Sequence, residues 1–120
     1  MRDAFHAELA DVTLAAAMNG LSDPLRLRIV ELLAHRGETE CSAIYTELGI
    51  SKSNASHHFR MLRECGLIWR AHEGQRQTAR LRTGEFDARF PGLLDAVLRN
   101  LDTPATSTRR RGAADSVVDQ

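Results

Sequence analysis

The sequence predicts a mainly helical fold carrying one small β-hairpin. Three observations predict it. Apolar residues recur at helical spacing in successive short segments, each opened or closed by a capping or stop residue. Two loosely alternating stretches then flank the polar run His72-Glu73-Gly74-Gln75-Arg76, the pattern of a hairpin. Basic charge gathers in the middle of the chain. Residues 52–82 carry seven basic side chains (Lys52, Arg60, Arg63, Arg70, Arg76, Arg80, Arg82) against Glu64 and Glu73, whereas residues 1–51 carry four basic against eight acidic.

Each element follows from local chemistry. Phe5, Leu9, Val12 and Ala16 keep a helical period over residues 4–18, and Asn19-Gly20 stops that helix. Asp23-Pro24 opens the second helix, because aspartate accepts from free amides and proline's fixed φ suits the first turn. Leu25, Ile29, Leu32 and Leu33 follow, and His35-Arg36-Gly37 ends it, with His35 facing the negative end of the helix dipole. Thr39 is placed to cap a short third helix with Ile44 and Leu48 inward and Gly49 as a left-handed stop.

Ser51 caps the fourth helix. There Ala55, Phe59 and Leu62 share one face, flanked by His58, Met61 and Cys65, while Ser53, Ser56, His57, Arg60 and Glu64 lie opposite. Gly66 stops it, and residues 67–71 and 78–81 form the hairpin strands. Residues 85–101 are the last ordered element. Proline disfavours helical geometry at the residue before it, so a break is expected at Phe90 and a helix from about Pro91, striped by Leu93, Leu94, Val97, Leu98 and Leu101. Residues 1–101 read as one domain, and residues 102–120, polar, small and aperiodic, as a disordered tail.

Composition bounds the function. A chain of 120 residues suits one domain with a modest core. It holds no apolar run long enough to span a membrane, and MRDAFHAELADV lacks a secretory pattern, so a cytoplasmic location is expected. Cys41 and Cys65 make no disulfide framework and are expected as thiols. No paired carboxylates, nucleophile–base set or phosphate loop points to an enzyme.

The formal net charge of zero conceals a basic middle between acidic flanks, which suits a local polyanion-binding face. Charge alone would equally suit a solvated surface. The outer face of the fourth helix tips the balance, since its serines and histidine are poor helix formers able to hydrogen-bond base edges or phosphates. A short helix, a glycine turn, a capped polar helix and a basic hairpin, in that order, make a winged helix-turn-helix. The candidate DNA-binding residues are Lys52, Ser53, Asn54, Ser56, His57, His58 and Arg60 on the helix, and Arg70, Gln75, Arg76 and Gln77 on the wing. Apolar faces on the first and last helices exceed what a small core can easily bury. They predict a two-fold dimer through Phe5, Leu9, Val12, Phe90, Leu94, Val97, Leu98 and Leu101, the alternative being that both helices close the monomer core.

Residues 20–83 resemble the ArsR/SmtB family of bacterial winged-helix repressors. The marks are LSDPLRLRIVELL at 21–33, ISKSNASHHFRMLRECGLI at 50–68, and a wing centred on HEGQRQ and followed by ARL. The flanking helices fit the family's dimer-forming helices by position, extending the resemblance to about residues 5–101. It implies a homodimeric repressor on an imperfect palindrome in double-stranded DNA. It also implies metal-triggered release, but the ligands differ here. The family's Cys-x-Cys pair with a following acid becomes Glu40-Cys41-Ser42-Ala43, and the last helix offers Asp87 and Asp95 without histidine. No resident cofactor is therefore expected, with zinc or nickel held near His6, Asp3 and Asp11 as the alternative. A second alternative is a winged-helix protein-interaction module, or a regulator needing a partner protein for metal or redox sensing.

Overall fold

The structure, a computed structural model, describes residues 6–101. After a single 3-10 turn at Leu9–Asp11 come α1 (Leu14–Gly20), α2 (Pro24–Arg36), β1 (Thr39–Glu40), α3 (Cys41–Leu48) and α4 (Lys52–Glu64). The hairpin β2 (Ile68–Glu73) and β3 (Arg76–Leu81) follows, then α5 (Thr83–Arg89) and α6 (Leu93–Leu101). The antiparallel sheet has the order β1-β3-β2, with Thr39 opposite Ala79 and Ile68 opposite Leu81. Fully buried Ile29, Leu33, Ile44, Phe59, Leu62 and Phe86 bring α2, α3, α4 and α5 onto one core. This is the expected winged helix-turn-helix. Among the described residues no helix is long and apolar enough to cross a membrane.

The helix expected over residues 4–18 does not form as such. Among the described residues it begins only at Leu14, where the Thr13 hydroxyl accepts from the amide of Ala16 at 3.0 Å. Upstream, carbonyls that a helix would use internally are taken by distant arginines. Arg82 donates to the carbonyl of Ala7 at 2.7 Å, and Arg89 to those of Leu9 and Val12 at 3.0 and 2.8 Å. Leu9 and Val12 press on Gly66, whose φ of +82° and lack of a Cβ both matter, because a Cβ there would run into Leu9.

Thr39 does not cap the third helix. It joins β1, and its hydroxyl donates to the carbonyl of Gly37 at 2.9 Å. The free side of β3 offers backbone groups that pair with Thr39 and Glu40, so α3 starts one residue later than expected, with Glu40 at the cap position. The hairpin is also tighter than expected. Its turn is Gly74-Gln75 alone, with Gly74 at φ +63°, as two-residue turns require. The break at Phe90 is present, α5 precedes it, and α6 begins at Leu93 after Gly92 at φ +82°. The expected tail and Phe5 lie outside the described residues.

Candidate nucleic-acid interface

The interface is built from α4 outward. The Ser51 hydroxyl accepts from the amide of Asn54 at 3.0 Å, fixing where the helix begins. Ala55, His58, Phe59 and Leu62 are buried, which leaves Lys52, Ser53, Asn54, Ser56, His57 and Arg60 exposed together in the first turns. Arg60 Nη2 lies 3.5 Å from Nδ1 of His57, so the two polar tips are neighbours. The wing meets this face at one place. Lys52, Glu40, Cys41 and Tyr45 line a cleft with Gln75, Arg76 and Gln77.

The expected site residues do not all face outward. His58 is 6% exposed and turns inward, its Nδ1 3.3 Å from Arg26 Nη1 and 3.8 Å from an Asp23 carboxylate oxygen. Burial depresses its basicity, the Asp23 carboxylate opposes this, and the positive Arg26 and neighbouring His57 add to the depression. Arg70 is half-buried. Its guanidinium lies 5.0 Å from the Phe59 ring centroid and donates to the side-chain oxygen of Gln77, so these two wing residues hold each other. Gln75 is exposed at the turn. Arg76 is exposed but ion-paired with Glu40 at 2.6 Å, which ties the wing tip to the start of α3.

Four of the residues expected to dimerise, Leu9, Val12, Phe90 and Leu94, are buried within the single chain. Val97, Leu98 and Leu101 are half-buried along α6. Among the described residues, the large apolar side chains most open to solvent are two others, Leu14 and Met18, at 52% and 54% exposure on α1. Their i, i+4 spacing was readable in the sequence. A helix begun at residue 4 sets Leu9 and Val12 on the outer stripe in their place, whereas the observed start at Leu14 leaves those two in the core.

Both thiols are buried. Burial raises the Cys41 thiol, although the Arg70 guanidinium pulls the other way through charge and a hydrogen bond. Burial pushes Cys65 up to about 11. Glu40 is engaged by Arg76, His6 accepts from the backbone amide of Arg70 at 2.8 Å, and no cluster of three or more metal-ligating side chains occurs among the described residues. The donor set around Cys41 therefore does not fit a soft metal.

A family model for bacterial regulatory proteins of the arsR family matches residues 23–69, from the Asp23 cap through the buried face of α4 into β2. The HTH-type transcriptional regulator CmtR of Mycobacterium tuberculosis is 31% identical over 112 residues, which is 93% of each chain. The chain belongs to the arsR family. The regulator YceK of Bacillus subtilis is 33% identical over 84 residues, 69% of this chain and 84% of that one. Among solved structures, a homodimeric winged helix-turn-helix DNA-binding domain from Mycobacterium bovis superposes with a TM-score of 0.62 at 30% identity, covering 74% of this chain and 78% of that one. As a member of the arsR family this protein is a DNA-binding transcriptional regulator rather than an enzyme.

Proposed function

We propose that this arsR-family protein acts in the cytoplasm as a homodimeric repressor that reads an imperfect palindrome in duplex DNA. The observation that carries the reading is the exposed set on α4. Ser53, Ser56, His57 and Arg60 stand clear of the core in the turns that enter the major groove in helix-turn-helix proteins. Lys52 and the helix N-terminus favour a phosphate there, and Gln75 and Arg76 supply backbone contacts from the wing. A second copy covers Leu14 and Met18 on α1 together with the α6 stripe, and presents two recognition helices to two half-sites.

Release from DNA, in this reading, does not use a metal held at Cys41. What supports it is the donor set: one thiol raised by burial, with Glu40 held by Arg76. Titration with Zn²⁺ and Ni²⁺, repeated on Cys41→Ser, checks this, and tight stoichiometric binding lost in Cys41→Ser would overturn it. The DNA reading is tested by gel shift on the upstream region of the protein's own operon. The paired His57→Ala and Arg60→Ala change is expected to abolish the specific shift while leaving the dimer intact. An unchanged shift would instead favour a protein-interaction module.

A further inference from the structure

Arg26, on α2, is a charged residue only 7% exposed, and its side-chain hydrogen bonds reach two further elements. It sits in the first turn of α2. Its Nε donates to the carbonyl of Gly20 at 2.8 Å and its Nη2 to that of Asn19 at 3.1 Å, two carbonyls at the end of α1. Its Nη1 reaches Nδ1 of His58, on the inner face of α4, at 3.3 Å. Asp23 completes the group, capping α2 through the amides of Leu25 and Arg26 while standing 3.8 Å from His58. A core that needed only apolar packing would not carry a guanidinium here, since an ionised group out of water must be fully hydrogen-bonded to be tolerated. The planar fork suits this place because it holds several acceptors in a fixed geometry, which a lysine cannot.

We propose that Arg26 is a positioning residue for DNA recognition, fixing α4 to the end of α1 through His58. The proposal rests on the reading of α4 as the recognition helix and of α1 as a dimer-facing helix. Leu14 and Met18 lie on the same short helix whose last carbonyls Arg26 grips, so a shift of α1 against a second copy is passed to α4 through one rigid side chain. His58 takes part as a neutral acceptor from Arg26, consistent with its burial.

The test is a double-substitution cycle on the full chain, comprising Arg26→Gln, His58→Leu, both together, and His58→Gln, which keeps an acceptor for Arg26. Melting curves and solution mass are recorded for each, and duplex affinity is compared where all are folded. Should Arg26→Gln fail to fold, Arg26→Lys takes its place. Arg26→Gln and His58→Leu are each expected to weaken binding about tenfold, the double variant no more than either, and His58→Gln to stay within about twofold of the parent, as for loss and rescue of one charged hydrogen bond. Fully additive losses, or no rescue by His58→Gln, would overturn the proposal. Deuterium exchange gives a reading without DNA. Arg26→Gln should speed exchange of α4 amides relative to α3, and equal change in both helices counts against the positioning role. A parent protein that binds no duplex would sink the DNA reading while this second measurement still decides whether Arg26 holds α4.

Discussion

At the scale of single residues, α4 divides its work between two adjacent histidines. His57 points to solvent beside Arg60, and His58 points into the core against Arg26 and Asp23. The two therefore differ in what substitution does. His57→Ala or Arg60→Ala should each cost about 1–3 kcal/mol in discrimination between the operator and a scrambled duplex, the usual worth of a good base contact, with no change in melting temperature. His58 touches no DNA in this reading and acts through the placing of α4 and through stability. Its folded-state pKa lies below the ordinary 6.5, so the unfolded chain binds more protons as pH falls through that value. Stability contributed by neutral His58 is present above pH 6.5 and is lost below it. Urea unfolding at pH 7.5 and 5.5 should show a drop that His58→Gln diminishes. The helical period already set His58 beside the core face of α4, but its partner Arg26 lies 32 residues away, and no local period encodes that contact.

At the scale of elements, helix boundaries set by side-chain caps were legible and those set by distant partners were not. Ser51, Asp23, Gly37 and Gly49 act where the residue types place them. Ser51→Ala should accordingly lower stability by about 1 kcal/mol, seen as an earlier melting transition. Residues 6–13 and Thr39 went otherwise because Arg82, Arg89 and the free side of β3 claim their backbones, contacts that span much of the chain. The wing was legible as a basic hairpin, but its pairing was not. Glu40 pairs with Arg76 at 2.6 Å, so in the proposed reading it competes with a phosphate for that guanidinium. Glu40→Gln should free that arginine, raise duplex affinity at low salt, and steepen the plot of log affinity against log salt by about one unit. A weaker complex with an unchanged slope would mean that the pair orders the wing rather than competing with DNA.

At the scale of the whole molecule, the charge distribution and the exposed apolar side chains point to different faces. In the proposed reading the exposed polar face of α4 and the wing tip meet DNA, while Leu14 and Met18 on α1, with the half-buried stripe of α6, meet a second copy. Met18→Asp should convert the dimer to a monomer in light scattering and weaken operator binding, because each half-site contact then acts alone. A monomer that binds as tightly as the parent would separate dimerisation from recognition. The most direct test of the central claim, that α4 and the wing read duplex DNA, is fluorescence anisotropy of the full chain on its own upstream region and on a scrambled duplex, followed as salt is raised. The account predicts tighter binding to the upstream region and a fall in affinity of about 10³–10⁵ between 50 and 200 mM salt if six to ten phosphates are contacted. Equal affinity for both duplexes, or none for either at the lowest salt, would contradict it.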